Sequence, residues 1–231
     1  MRRSLAYLLC LACSALALPA QAADSDPVAS IAPNLLQELH ASGLIGTAEP
    51  VRPFAWTIEM TRPLRAARHR RETYAGTPTG APAGLSPMVR HELTEEGRTK
   101  RTVHGVSVRG LVFVRPGENE LEVRVRDLRM PLEQGQRFRI EYDDDSGALA
   151  EDCTVGVEVA ASVVHAAIPG RATRIECEGT GRYKRIPVSV SAKVMYLHEP
   201  GVFVAVEQAI DSPLGRLRSG VRVVAFSIER P

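Results

Sequence analysis

Lysine, cysteine and long apolar runs are all scarce in this 231-residue sequence, and each scarcity narrows what the protein can be. Only Lys100, Lys184 and Lys193 are lysines, against a total of 29 basic residues. Arginine carries the rest, a bias that fits a GC-rich bacterial genome. One apolar run stands out, at 5–18, and it is shorter than the ~20 residues a membrane-crossing helix needs. No later run reaches that length, so no transmembrane segment is expected beyond it. The six histidines show neither His-x-His nor His-Glu-x-x-His spacing, and there is no glycine-rich phosphate loop. No cofactor and no metal site is expected.

The short apolar run has its own meaning. Arg2 and Arg3 precede it, Pro19 breaks it, and Ala20-Gln21-Ala22 follows with small-x-small spacing. That order predicts a cleaved secretory signal over 1–22. Cys10 and Cys13 lie inside the run, too early and in the wrong context for a lipoprotein site. Removing 1–22 leaves about 209 residues and lowers the basic count from 29 to 27, equal to the 27 acidic residues. A formally neutral chain is a poor polyanion binder, so no nucleic acid is expected as partner. The expected location is the periplasm, with release from the cell as the alternative.

Two cysteines then remain, Cys153 and Cys177, and in an oxidising compartment an isolated pair reads as a disulfide. Geometry constrains it. A tight hairpin at Pro169-Gly170 would set Cys153 against Ile186 and Cys177 against Ser162. The bond therefore requires the chain to bend earlier, at Ala160-Ala161-Ser162, or to join strands that are not neighbours.

From residue 54 onward the dominant period is two. Phe54, Trp56, Ile58 and Met60 alternate with Ala55, Thr57, Glu59 and Thr61, and similar alternation recurs over 102–108, 111–114, 121–126, 137–142, 153–159, 174–178, 186–196, 202–210 and 221–228. Charge alternating with apolar side chains means one face is wet, as in antiparallel sheets. About ten strands predict a mainly β fold: an antiparallel sandwich, barrel or strongly curved sheet. One short N-terminal helix is expected over 27–43, from the spacing of Leu35, Leu36 and Leu39, capped by Asn34 and stopped by Gly43. The Gly/Pro-rich stretch 76–87 reads as a flexible surface loop within a single β-rich domain over 23–231.

The most unusual local feature is a run holding Arg62, Arg65, Arg68, Arg70 and Arg71 together with His69. Arginine suits bidentate contact with carboxylate or phosphate. The run is a candidate contact for an anion or a partner, against the plainer reading of a solvated charged strand end. Asp143-Asp144-Asp145-Ser146-Gly147 lacks calcium-loop spacing and reads as a hairpin turn. Gly105-Val106-Ser107-Val108-Arg109-Gly110 is one residue too long for a nucleophile elbow. Val188, Val190, Val194, Val202, Val204 and Val206 could line one ligand-binding face or belong to plain core.

Together these readings predict an exported, non-enzymatic binding or accessory protein of the cell envelope. Its expected partner is an envelope protein or an amphipathic or anionic envelope molecule. A periplasmic or secreted hydrolase with a dispersed site, and an immunity-type inhibitor of a toxin enzyme, are the alternatives.

Overall fold

A computed structural model describes residues 27–46, 49–62, 65–117, 120–144 and 147–228; the expected signal at 1–22 lies outside them. After helix α1 (Pro33–Ala41) come twelve strands. The first five are β1 (Phe54–Arg62), β2 (Arg65–Tyr74), β3 (Leu85–Leu93), β4 (Thr99–Val108) and β5 (Val112–Val114). The next four are β6 (Val123–Arg126), β7 (Arg137–Asp144), β8 (Gly147–Ala160) and β9 (Arg171–Tyr183). The last three are β10 (Ile186–Leu197), β11 (Val202–Ser212) and β12 (Gly215–Ile228). They form one nearly closed, barrel-like antiparallel sheet in the order β5-β4-β3-β2-β1-β12-β11-β10-β9-β8-β7-β6. Two meanders, β1–β5 and β6–β12, are thus joined by the pairing of the first strand with the last.

The two edges of the sheet, β5 and β6, are only three and four residues long. Short edges offer little backbone for a stray strand to pair with. Helix α1 packs its Leu35 and Leu39 into the same cluster as Val112 and Val114 of β5 and Val125 of β6. No helix among the described residues is long and apolar enough to cross a membrane.

The expected helix forms, but Asn34 is not its cap. Pro33 takes the first helical turn and Ala32 is the N-cap, with no side-chain bond. Proline suits that place because its missing N–H would have had no partner there. Gly43 does end the segment: its φ is 75°, and a Cβ would lie 1.9 Å from the Leu128 carbonyl oxygen.

Two strands arise where no alternation was legible. β2 is the arginine run itself, and β3 begins at Leu85, inside the stretch read as loop. The rest of that stretch is pinned: the Thr77 N–H donates to the Val51 carbonyl, the Gly76 N–H to Ser86 Oγ, and Gly46 bridges Ala83.

Cys153 and Cys177 form a disulfide across directly opposed positions of β8 and β9. The chain leaves β8 at Ala160 and makes a short 3₁₀ turn over Ala161–Val163, the earlier bend that the pairing requires. A bulge between Val155 and Glu158 adjusts the register. Closing a 24-residue separation contributes about 3 kcal/mol in the chain-entropy account.

Apolar residues fill both faces of the sheet. One cluster, on the disulfide face, holds Val194, Tyr196 and Phe203 with α1. The other holds Met195, Leu197, Val202 and Val204 with Phe54, Trp56 and Tyr74. The six valines therefore do not line one face: Val194 belongs to the first cluster, with Val190 on the same face of β10 by alternation, and Val202, Val204 and Val206 lie with the second.

Candidate functional site

The arginine run divides. Arg62 and Arg65 face each other across the β1–β2 turn, and their side chains lie outside the described ones. Strand alternation sends Arg68 and Arg70 to the face of Glu72 and Tyr74, and His69 and Arg71 to the other. On that other face Glu59 takes an ion pair from Arg222 at 3.1 Å and stands 3.3 Å from His69. The Arg222 hydrogen bond chiefly holds the Glu59 carboxyl below its ordinary range. The five arginines are not one continuous patch.

Arg70 has a structural partner. Glu72, 2% exposed, sits between Trp56 of β1 and Arg90 of β3 by direct cross-strand pairing. Its Oε2 accepts from Trp56 Nε1 at 2.8 Å and from the Tyr74 hydroxyl at 3.1 Å. Its Oε1 accepts from Arg90 Nε at 2.8 Å, and Arg70 Nε lies 2.9 Å from the same oxygen. Burial lowers the pKa of Arg70, and Glu72 pulls it back up.

A second buried arginine is held by backbone carbonyls rather than by a hydrogen-bonded carboxylate. Arg109, 0% exposed and with φ 48°, occupies the β4–β5 turn. It donates to the carbonyls of Leu44 at 2.9 Å, Glu49 at 2.7 Å and Gly201 at 3.2 Å, and to the Tyr196 hydroxyl at 3.4 Å. Ser107 in the same segment caps this turn by accepting from the Gly110 N–H, so it is no nucleophile on an elbow. Arg109 was absent from the sequence-based candidates; an arginine in a tight turn between two valine-rich strands was the available signal.

The disulfide face carries one buried acid, Glu151, 1% exposed. Its carboxylate is bonded by Gln208, and Oε1 has no partner among the described residues. Gly179 stands between Glu151 on β8 and Val190 on β10. Glu151, Cys153 and Cys177 cluster as metal ligands would, but the two sulfurs are spent on each other. Burial raises the Glu151 pKa. The folded state then holds this proton more tightly than the unfolded one. Its contribution to stability is full below the ordinary glutamate pKa and is lost as pH rises through the folded value. Glu151→Gln is therefore expected to stabilise the protein at pH 7 and to flatten that fall, as read by urea midpoints across pH. A slope unchanged by the substitution would assign the titration to other groups.

The opposite face of β7–β12 holds an open groove of about 1230 Å³, floored by the backbone of the disulfide strands. Arg137 and Arg139 of β7, Asp152 of β8, Glu176 and Glu178 of β9, Ser189 and Ser191 of β10, Asp211 of β11 and Arg216 of β12 line it. Period-two alternation explains the set: every member lies on the strand positions opposite Cys153, Cys177 and Val190. Arg139 bonds Asp152 at 2.9 Å, and Arg216 lies 3.5 Å from Asp211. Arginines stand on the two outer strands of the groove, β7 and β12, and carboxylates on β8, β9 and β11 between them, with serines on β10.

One further constellation bears on hydrolysis. Thr173 Oγ1 lies 2.8 Å from His198 Nε2, and Glu158 Oε1 lies 3.6 Å from the same nitrogen. A hydroxyl–histidine–carboxylate relay needs the two oxygens on opposite ring nitrogens. Thr173 is also buried, at 2% exposure, beyond the reach of a substrate.

Neither a protein-family model nor a curated protein sequence matches the chain. Among solved structures it is similar to a chain from Parabacteroides distasonis described as a candidate lipoprotein, at 8% identity and a TM-score of 0.40, over 81% of this chain and 99% of that one. A likeness at that level carries no functional argument.

Proposed function

We propose that this chain is an exported, non-enzymatic accessory protein of the cell envelope, working in the periplasm, and that it holds an extended segment of a partner protein in the charged groove. The groove itself carries the reading. It is long, open and polar, whereas pockets for small molecules are enclosed and mostly apolar. Arginines at both flanks and carboxylates between them favour a partner segment with the reverse order of charge and disfavour a uniformly charged polymer. Of the arginine run, Arg68 and Arg71 are exposed and remain secondary contacts for an anion. Arg70 belongs to the Glu72 network.

The test is a photo-crosslinking residue at Ser191, with the protein expressed in the envelope of its own host. One defined adduct is expected, reduced about tenfold by the double charge reversal Glu176→Lys, Glu178→Lys. No adduct, or one that survives the reversal, would end this reading.

A further inference from the structure

We infer that the outer ends of the β9–β10 and β11–β12 hairpins form a docking surface for an anionic lipid bilayer. The inference uses a surface separate from the groove residues tested above and stands or falls independently of the partner-segment reading.

The strand register first places the two ends side by side. Tyr183 faces Ile186 across the β9–β10 turn, and Ser189 of β10 faces Asp211 of β11. Continued outward, that register sets Ile186 level with Leu214, so the two turns reach the same height. The β11–β12 hairpin also overhangs its other neighbour. β1 is already paired through Thr61 at Gly220, while β12 runs on to Gly215. A shallow pocket lined by Arg182, Pro187, Asp211 and Pro213 joins the two turns.

These ends carry apolar side chains where water would be expected to demand polar ones. Leu214 is 82% exposed, and Leu217 and Tyr183 are each 53% exposed. They are three of the six large hydrophobics exposed among the described residues. Leu217 is not isolated: it faces Ile210 on β11, which faces Val190 on β10, so an apolar row crosses the strands of the disulfide face just below the turns. A single exposed leucine is ordinary, but a cluster at a protruding tip marks a contact surface.

Charge decides which contact. Arg182, Lys184, Arg185, Arg216 and Arg218 belong to the same two hairpins, against Asp211 alone on the segment beyond Glu207. Lys184 lies over the Tyr183 ring at 5.7 Å, a cation held beside an aromatic as at a membrane interface. Leucine and tyrosine that can enter the acyl boundary, with Lys184 and Arg185 in the turn and Arg182, Arg216 and Arg218 on the alternate strand positions for phosphate headgroups, match an anionic bilayer surface. The neighbouring β7–β8 hairpin, with Asp143 exposed, is acidic and ends level with the β9–β10 turn, since Gly147 faces Tyr183, so it bounds the surface on that side.

Vesicle flotation tests this directly. The mature full chain would be mixed with vesicles of phosphatidylethanolamine and phosphatidylglycerol, and separately with phosphatidylcholine alone. Partitioning onto the first and not the second is expected, weakening as salt is raised. Leu214→Asp with Leu217→Asp should reduce it at least tenfold, and Arg182→Gln with Arg218→Gln should do the same. All four side chains are exposed, and an unchanged unfolding midpoint would certify that each variant is folded. Absence of flotation, equal flotation on both lipids, or binding unaffected by either pair would overturn the proposal.

Discussion

Replacing Arg109 by methionine is expected to lower folding stability by at least about 3 kcal/mol. The guanidinium is the common donor to three carbonyls and a hydroxyl that come from three separate places in the chain. Leu44 and Glu49 belong to the segment after α1, Gly201 to the β10–β11 turn, and Tyr196 to β10. The main chain adds two ties: the Arg109 N–H donates to the Gly84 carbonyl, and the Phe203 N–H to the Arg109 carbonyl. Methionine would fill much of the volume while leaving four acceptors without a donor. A buried acceptor left unpaired costs about 1–3 kcal/mol, and water has little room to replace the guanidinium. Burial depresses the Arg109 pKa, and Tyr196 partly offsets this. Arg109→Lys should lose somewhat less, because a single ammonium cannot span a fork of acceptors. Urea unfolding would measure both. A loss below about 1 kcal/mol for Arg109→Met would mean that the surrounding backbone holds itself.

Glu72→Ala is expected to cost about 3–5 kcal/mol for a different reason. Here the loss is dominated by what stays behind. Arg70 and Arg90 would remain half-buried beside each other without their shared carboxylate, and Trp56 Nε1 and the Tyr74 hydroxyl would lose their acceptor. The triple variant Glu72→Leu, Arg70→Leu, Arg90→Leu should recover part of that loss, since an apolar replacement of a whole buried ion cluster is often nearly neutral. A triple variant less stable than Glu72→Ala would show that the ion cluster contributes net stability rather than mere pairing.

The two predictions share a lesson about reading arginine from sequence. Of 29 basic residues, the conspicuous ones were those that clustered along the chain. Clustering in sequence does not survive a strand. Alternation put Arg70 against a buried glutamate and Arg71 on the opposite, exposed face. Arg109, alone in its neighbourhood, became the most buried of them.

The sequence by itself determined the class of fold, the helix with its Leu35 and Leu39 contacts, and the turn between Asp144 and Gly147. It also determined the disulfide, and left a bend at Ala160–Ser162 or a pairing of non-neighbouring strands to allow it, of which the structure takes the bend. All of these rest on periods and spacings short enough to be written locally. β2 and β3 were illegible because Arg65–Arg71 carries charge on both faces and Leu85–Pro87 sits among glycines and prolines, so neither shows a period of two. Only the tertiary structure decided which strands neighbour one another, and with that the Glu72 network, the Arg109 hub, the charged groove and the level row of hairpin ends. Each of these joins residues far apart in the chain through cross-strand register. Register depends on the summed packing of two faces and on bulges such as those at Val155 and Lys193, which no single segment encodes.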